Sequence, residues 1–239
     1  MSERARHPVN DLGQPVGTAV AGWTARPAPP RTAMAGRLCR VEPLDPDRHA
    51  AALHAAFAME RDGRLWTYLP YGPFARPEDF RAHIASAWSG PERVVHAVVD
   101  LASERPLGVA SYLNIDAAAG SIEVGGITYA PALARSAAAT ESMYLMMRRA
   151  FDELGYRRYA WQCNALNAAS RAAAARLGFR YEGTWRQASV TKGRTRDTAW
   201  FSILDTEWPE RRAAFERWLD PANFDRDGRQ RARLARPVG

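Results

Sequence analysis

Cysteine, lysine and long apolar runs are what this chain has least of. Its 239 residues hold two cysteines, Cys39 and Cys163, without metal-ligand spacing, so neither a disulfide framework nor a cysteine metal site is expected. That fits a reducing compartment. No run reaches the ~18 apolar residues of a membrane span, and the N-terminus has no apolar stretch of signal-peptide type. The expectation is a cytoplasmic protein without membrane contact. Lys192 is the only lysine, so the basicity is almost wholly arginine.

The formal charge of +7 sits at the ends. Residues 1–40 carry six arginines against Glu3 and Asp11, and residues 226–239 carry five against Asp227, which leaves the middle near neutral. A flexible basic tail over 1–35, one domain over 36–225 and an Arg-rich tail over 226–239 are therefore expected. Solvated tails fit this distribution better than a nucleic-acid platform, which needs its charge on a folded face.

What is present is alternation of short strands and helices. "GRLCRVEPL" (36–44) reads as a strand, and helices follow at 46–61 and 76–88, each with proline near its start. Three β-type runs, 94–100, 107–115 and 121–129, are joined by short turns as an antiparallel meander. Met143, Met146, Met147, Ala150, Phe151 and Leu154 then recur at helical spacing, and Gly155 closes that helix. A strand at 156–163, a helix at 168–177 capped by Asn167, a hairpin through Gly193 and a helix at 207–219 complete the chain. The strand–helix–strand over 121–163 calls for a right-handed crossover, leaving its two strands parallel.

That crossover puts "RSAAATES" (135–142) at a helix start beside a strand end. Free N–H groups and about half a positive charge make such a start an anion site, and alanines at 137–139 leave its amides uncovered. Together with "IEVGGITYAP", "NALNAASRAAAARLGFRYEG" and "RDTAWFSILDTEW", this resembles the GNAT superfamily of acyl-CoA-dependent N-acetyltransferases, and within it the RimJ/RimL-like branch. The resemblance covers most of 36–220. It implies an α+β fold: a mostly antiparallel twisted sheet of about seven strands, flanked by helices, whose fourth and fifth strands run parallel and splay apart.

It further implies acetyl-CoA as co-substrate, no metal, and a primary amine as acceptor, either a small molecule or a peptide N-terminus; a homodimer is compatible with it. The family's pyrophosphate loop falls on Ala134 to Ala139, here without glycine, so Arg135, Ser136, Ala137, Ala138, Ala139 and Thr140 are the expected phosphate contacts. Ile127 and Thr128 lie along the pantetheine by the same resemblance, with Asn167 and Ser170 opposite. The tyrosine that many members use to protonate the thiolate is Ala174 here, and Ser170 is the nearest hydroxyl in sequence. Glu123 is the candidate base, and His96 reads as a buried strand histidine. Trp66, Tyr68, Tyr71 and Phe74, interleaved with prolines, form the expected acceptor wall, with Trp185 across the cleft. The missing glycines and tyrosine leave a catalytically silent acyl-CoA-binding module as the alternative.

Overall fold

The computed structural model describes residues 7–234. The outermost parts of both basic tails, residues 1–6 and 235–239, lie outside the described residues. The elements are β1 (Met34–Ala35), β2 (Cys39–Pro43), α1 (Pro46–Phe57), α2 (Pro77–Ala87), β3 (Val94–Asp100), β4 (Arg105–Asp116), β5 (Ser121–Tyr129), α3 (Ala137–Arg148), β6 (Arg158–Asn164), α4 (Ala168–Arg176), β7 (Arg180–Thr191), β8 (Arg194–Leu204) and α5 (Trp208–Leu219). They form one sheet in the order β1-β2-β3-β4-β5-β6-β8-β7, antiparallel except for the β5–β6 pair. This is the GNAT fold.

The sheet has eight strands where about seven were expected, because Met34–Ala35, ahead of the run 36–44, forms a short extra strand, and the run itself is strand only from Cys39 to Pro43. The buried Glu141 carboxylate of α3 accepts the backbone N–H groups of Arg37, Leu38 and Cys39 at 2.9, 2.6 and 2.8 Å. Those three amides cannot join a ladder, so Met34–Ala35 pairs separately with Val41 and Arg40. The methionine helix also departs from expectation. It is α-helical only to Arg148 and widens into a π turn over Arg149–Glu153. Arg149, buried there, donates to the carbonyls of Thr32 and Ala33 at 2.7 and 3.0 Å.

Alternation along β4 sorts the helices between the two faces. Tyr112 points at α3, where its hydroxyl donates to the Met146 carbonyl at 2.7 Å. Its neighbour Ser111 faces the α1–α2 side. On the α3 side the core is continuous from Cys39 and Val41 through Ile122, Val124 and Tyr159 to Ile203, all fully buried. His96 is fully buried beside Tyr112, with ring centroids 5.5 Å apart, and neither ring nitrogen has a partner among the described residues. Burial, with Arg149 and Arg31 adding to it, pushes its pKa down to about 3, so it is neutral packing.

The segment leading into β1 is attached to the body. Trp23 donates its indole N–H to Ala118 O at 2.8 Å, Arg26 N–H reaches Ala117 O, and Arg31 reaches the carbonyls of Gly90 and Arg93. Tyr156 donates to Pro27 O at 3.2 Å. At the other end Trp218 donates to Gln230 Oε1 at 2.8 Å, and Leu234 is buried.

Candidate active site

The site begins where β5 and β6 stop pairing. Their parallel ladder runs only from Ser121–Arg158 to Val124–Trp161, although β5 continues to Tyr129 and β6 to Asn164. Beyond Val124 the strands part and leave a gap through the sheet. A bulge helps to turn β5 away: three residue steps, Gly125 to Thr128, oppose two on β4, Ser111 to Val109. Gly126 adopts φ +60° in that bulge, and a Cβ there would stand 3.3 Å from Ser111 Oγ.

On the α1–α2 side of the gap lies Glu123. It is 2% exposed, and its Oε2 accepts from Asn114 Nδ2 at 2.8 Å and from Gln162 Nε2 at 2.9 Å. Oε1 accepts no hydrogen bond among the described residues. Burial raises the Glu123 pKa above the ordinary carboxylate range, while the Asn114 and Gln162 hydrogen bonds and the charge of Arg196 work against that rise. Asn114 and Gln162 line an open cavity of about 410 Å³ with Trp185, Ser189, Arg196 and Trp200.

Ser170 sits on the other side. Alternation along β6 turns Trp161 and Cys163 toward α4 and Gln162 the opposite way. The Trp161 indole donates to Ser170 Oγ at 3.0 Å, leaving the hydroxyl proton free to point elsewhere. Burial pushes the neighbouring Cys163 thiol up, so it is a thiol rather than a thiolate at neutral pH. Asn167 caps α4 by accepting Ser170 N–H at 3.0 Å.

The start of α3 opens on that same side. Ser136 is its N-cap, and its hydroxyl accepts Ala139 N–H at 3.0 Å, so one of the amides expected to be open is already satisfied. The N–H groups of Arg135, Ala137 and Ala138 have no acceptor among the described residues. Arg135 takes the left-handed conformation, φ +63°, at the position where the chain enters the helix. Ala138, Ala139 and Thr140 are buried. Thr140 Oγ1 accepts from Arg176 Nη1 at 3.1 Å, which brings a half-buried guanidinium without a carboxylate partner to the helix start. Desolvation lowers the pKa of Arg176, so an anion there would restabilise its charge.

Ile127 and Thr128 lie on β5 beyond the last residue paired with β6; Thr128 is buried and Ile127 half-buried. The aromatic loop is divided in its exposure. Trp66 is buried, with ring centroids 5.7 Å from Phe57 and 5.6 Å from Phe74. Gly72 lets the loop fold over it, since φ there is +66° and a Cβ would overlap the Trp66 ring. Phe74 packs on Phe80 and His83. Trp66 and Phe74 thus belong to the packing over α1 and α2, not to an open wall. Tyr68 instead donates to Leu166 O at 3.1 Å, linking the loop to the β6–α4 turn. Tyr71 brings its hydroxyl, buried and without a settled partner, to Gly126, 3.9 Å from where a Cβ would stand. Trp185 is 63% exposed and packs 4.9 Å from Trp200.

Asn114, Gln162, Arg176 and Arg196 were not singled out in the sequence. Gln162 had a signal: it is the polar residue between Trp161 and Cys163, facing away from the apolar side. Arg176 lay within "RLGF", and nothing local distinguishes it from the many other arginines.

Comparison with known proteins agrees with this geometry. The Acetyltransferase (GNAT) domain family matches residues 39–180. A GCN5-related N-acetyltransferase from Brucella melitensis is 44% identical, with 90% of this chain and 97% of that one covered and a TM-score of 0.88. A probable GNAT-family acetyltransferase from Chromobacterium violaceum is 42% identical over 82% of this chain and 98% of its own, with a TM-score of 0.77. RimL, a ribosomal L7/L12 alpha-N-protein acetyltransferase, shares the fold at 19% identity and a TM-score of 0.62, over 72% and 93%. Among curated protein sequences none matches. The fold and the split site define an acyltransferase. The chain belongs to the GNAT acetyltransferase family.

Proposed function

We propose that the protein moves an acetyl group from acetyl-CoA to a primary amine, a small molecule or a peptide N-terminus, by direct attack. The observation that carries this reading is the buried Glu123 carboxylate at the parting of β5 and β6, with Oε2 held twice and Oε1 without a hydrogen bond among the described residues. A raised carboxylate pKa suits a group that takes a proton from an amine near neutral pH. Bound acetyl-CoA would supply the activated acetyl thioester. Its phosphates fit the free amides of Arg135, Ala137 and Ala138 with Arg176, and its pantetheine fits the stretch between Ile127–Thr128 and Asn167.

Acceptor and donor then approach from opposite sides of the gap. Glu123 receives the proton lost by the attacking amine, directly or through water. Ser170, oriented by Trp161, donates a proton to the departing sulfur. Cys163 remains a thiol, so a covalent relay through it is disfavoured and direct transfer follows. A peptide α-amine needs about 3.5 kcal/mol less deprotonation than a lysine side chain, which favours weakly basic acceptors for a single buried carboxylate. Motifs shared with the RimJ/RimL-like branch support a protein N-terminus as one acceptor class and the cytoplasm as its place. Acetyl-CoA-dependent release of free thiol, measured across a broad amine panel, tests the reading. Release that no amine stimulates would overturn it.

A further inference from the structure

Arg196, like Arg176, has no ion-pair partner among the described residues, although its charge reaches Glu123. In the adjoining cavity of about 180 Å³, Arg158 holds Glu182 through two 2.6 Å hydrogen bonds, and Ser202 also donates to Glu182. That pair is complete. Among the described residues that line the larger cavity, Arg196 is the only charged one. Its guanidinium makes no hydrogen bond or ion pair among the described residues, and its Nε is buried without a partner. Trp200 lines the same cavity, and its indole N–H is also buried and unpaired among the described residues.

These unmet groups are all donors: an arginine fork and an indole can only donate. The cavity's other end is lined by Asn114 and Gln162, which each donate an amide hydrogen to Glu123 Oε2 behind them; Glu123 Oε1 accepts no hydrogen bond among the described residues and is the acceptor nearest that end. A ligand that satisfies both ends donates at one and accepts, with negative charge, at the other. The rings of Trp185 and Trp200 give the space between an apolar wall.

We propose that this cavity selects an acceptor amine that carries an anionic group, with the amine at Glu123 and the anion held by Arg196 and the Trp200 indole. This rests on the acetyltransferase reading and adds the acceptor's charge pattern to it. A carboxylate and a phosphate share the required chemistry, since either accepts a charged fork of N–H groups.

The test is binding, read on the ¹H–¹⁵N resonances of the Trp200 indole and Arg196 Nε, with chemically matched probes. The probes are ω-amino acids of two to six carbons, their carboxamides, and the corresponding aminoalkyl phosphates. The acids or the phosphates should shift both resonances at concentrations ~10-fold or more below those the carboxamides need. The arm that titrates first identifies the anion. Arg196→Met should remove the difference, and Arg196→Lys should retain part of it; unchanged melting temperatures show that both variants fold. Equal titration by acid and carboxamide, or no shift with any probe, overturns the proposal. Failure of acetyl transfer would show separately, as thiol release that no amine stimulates while the binding preference stands.

Discussion

Gln162 Nε2 reaches across the end of the β5–β6 ladder to Glu123 Oε2 at 2.9 Å, one residue past the last paired position, Trp161. The contact ties the candidate base to both parting strands. Because it stabilises the charged carboxylate, its loss should raise the Glu123 pKa. Gln162→Leu should therefore move the acid limb of the kcat/KM–pH profile to higher pH. A limb that stays in place would mean that Glu123 does not control it.

Glu123→Gln should lower turnover by ~10²–10⁴-fold, the usual size of a general base contribution, and leave acetyl-CoA binding by calorimetry nearly unchanged. Raising the pH should recover part of that loss, because more of the amine is then neutral. Wild-type turnover from pH 6 to 9 would make Glu123 structural.

Two hydroxyls flank the gap, and they separate by substitution. Ser170→Ala should reduce turnover at all pH values if Ser170 protonates the thiolate. If it only touches the co-substrate, the variant should instead weaken binding by about 1 kcal/mol. Tyr71→Phe is the comparison. Its hydroxyl lies near Gly126 on the acceptor side, so a larger loss there than in Ser170→Ala would transfer the acid role to Tyr71.

Much of the fold could be read in advance from periodicity. The meander, the methionine helix and the crossover follow from spacing, because each element buries one face. The late start of β2 at Cys39 could not be read, since Glu141 acts from 102 residues away on Cys39 N–H. The site divides in the same manner. Glu123 and Ser170 were visible through motifs, but Asn114, Gln162, Arg176 and Arg196 gain meaning only from neighbours on other strands. Trp66 and Phe74 misled because an aromatic loop has the same composition whether it lines a cleft or packs a core.

The N-terminal strap gives a stability prediction. Residues 7–22 are exposed, whereas Trp23, Arg26 and Arg31 are bonded to the body. Removing residues 1–22 should leave the melting temperature within about 2 °C, and removing 1–35 should lower it by several degrees. Equal melting temperatures for the two truncations would show that the strap contributes nothing.

His96 gives a second stability test. Its folded pKa, about 3, lies below the unfolded value near 6.5, so the unfolded chain binds the extra proton. Its neutral burial costs nothing above about pH 6.5, and the protein loses stability as pH falls from there toward 3, by at most ~1.4 kcal/mol per pH unit. In His96→Leu that slope should be shallower over this window. Parallel curves for the two proteins would mean that the ring takes up its proton in the fold as readily as in the unfolded chain.

Acetyl-CoA is proposed to lie with its phosphates on the start of α3 and its thioester end in the gap between β5 and β6. An amide NMR titration with acetyl-CoA tests it most directly. Saturable shifts are expected at Arg135, Ala137 and Ala138, at Gly126 to Thr128, and at the Trp161 indole that holds Ser170. Shifts confined to other surfaces, or none at millimolar acetyl-CoA, would contradict it.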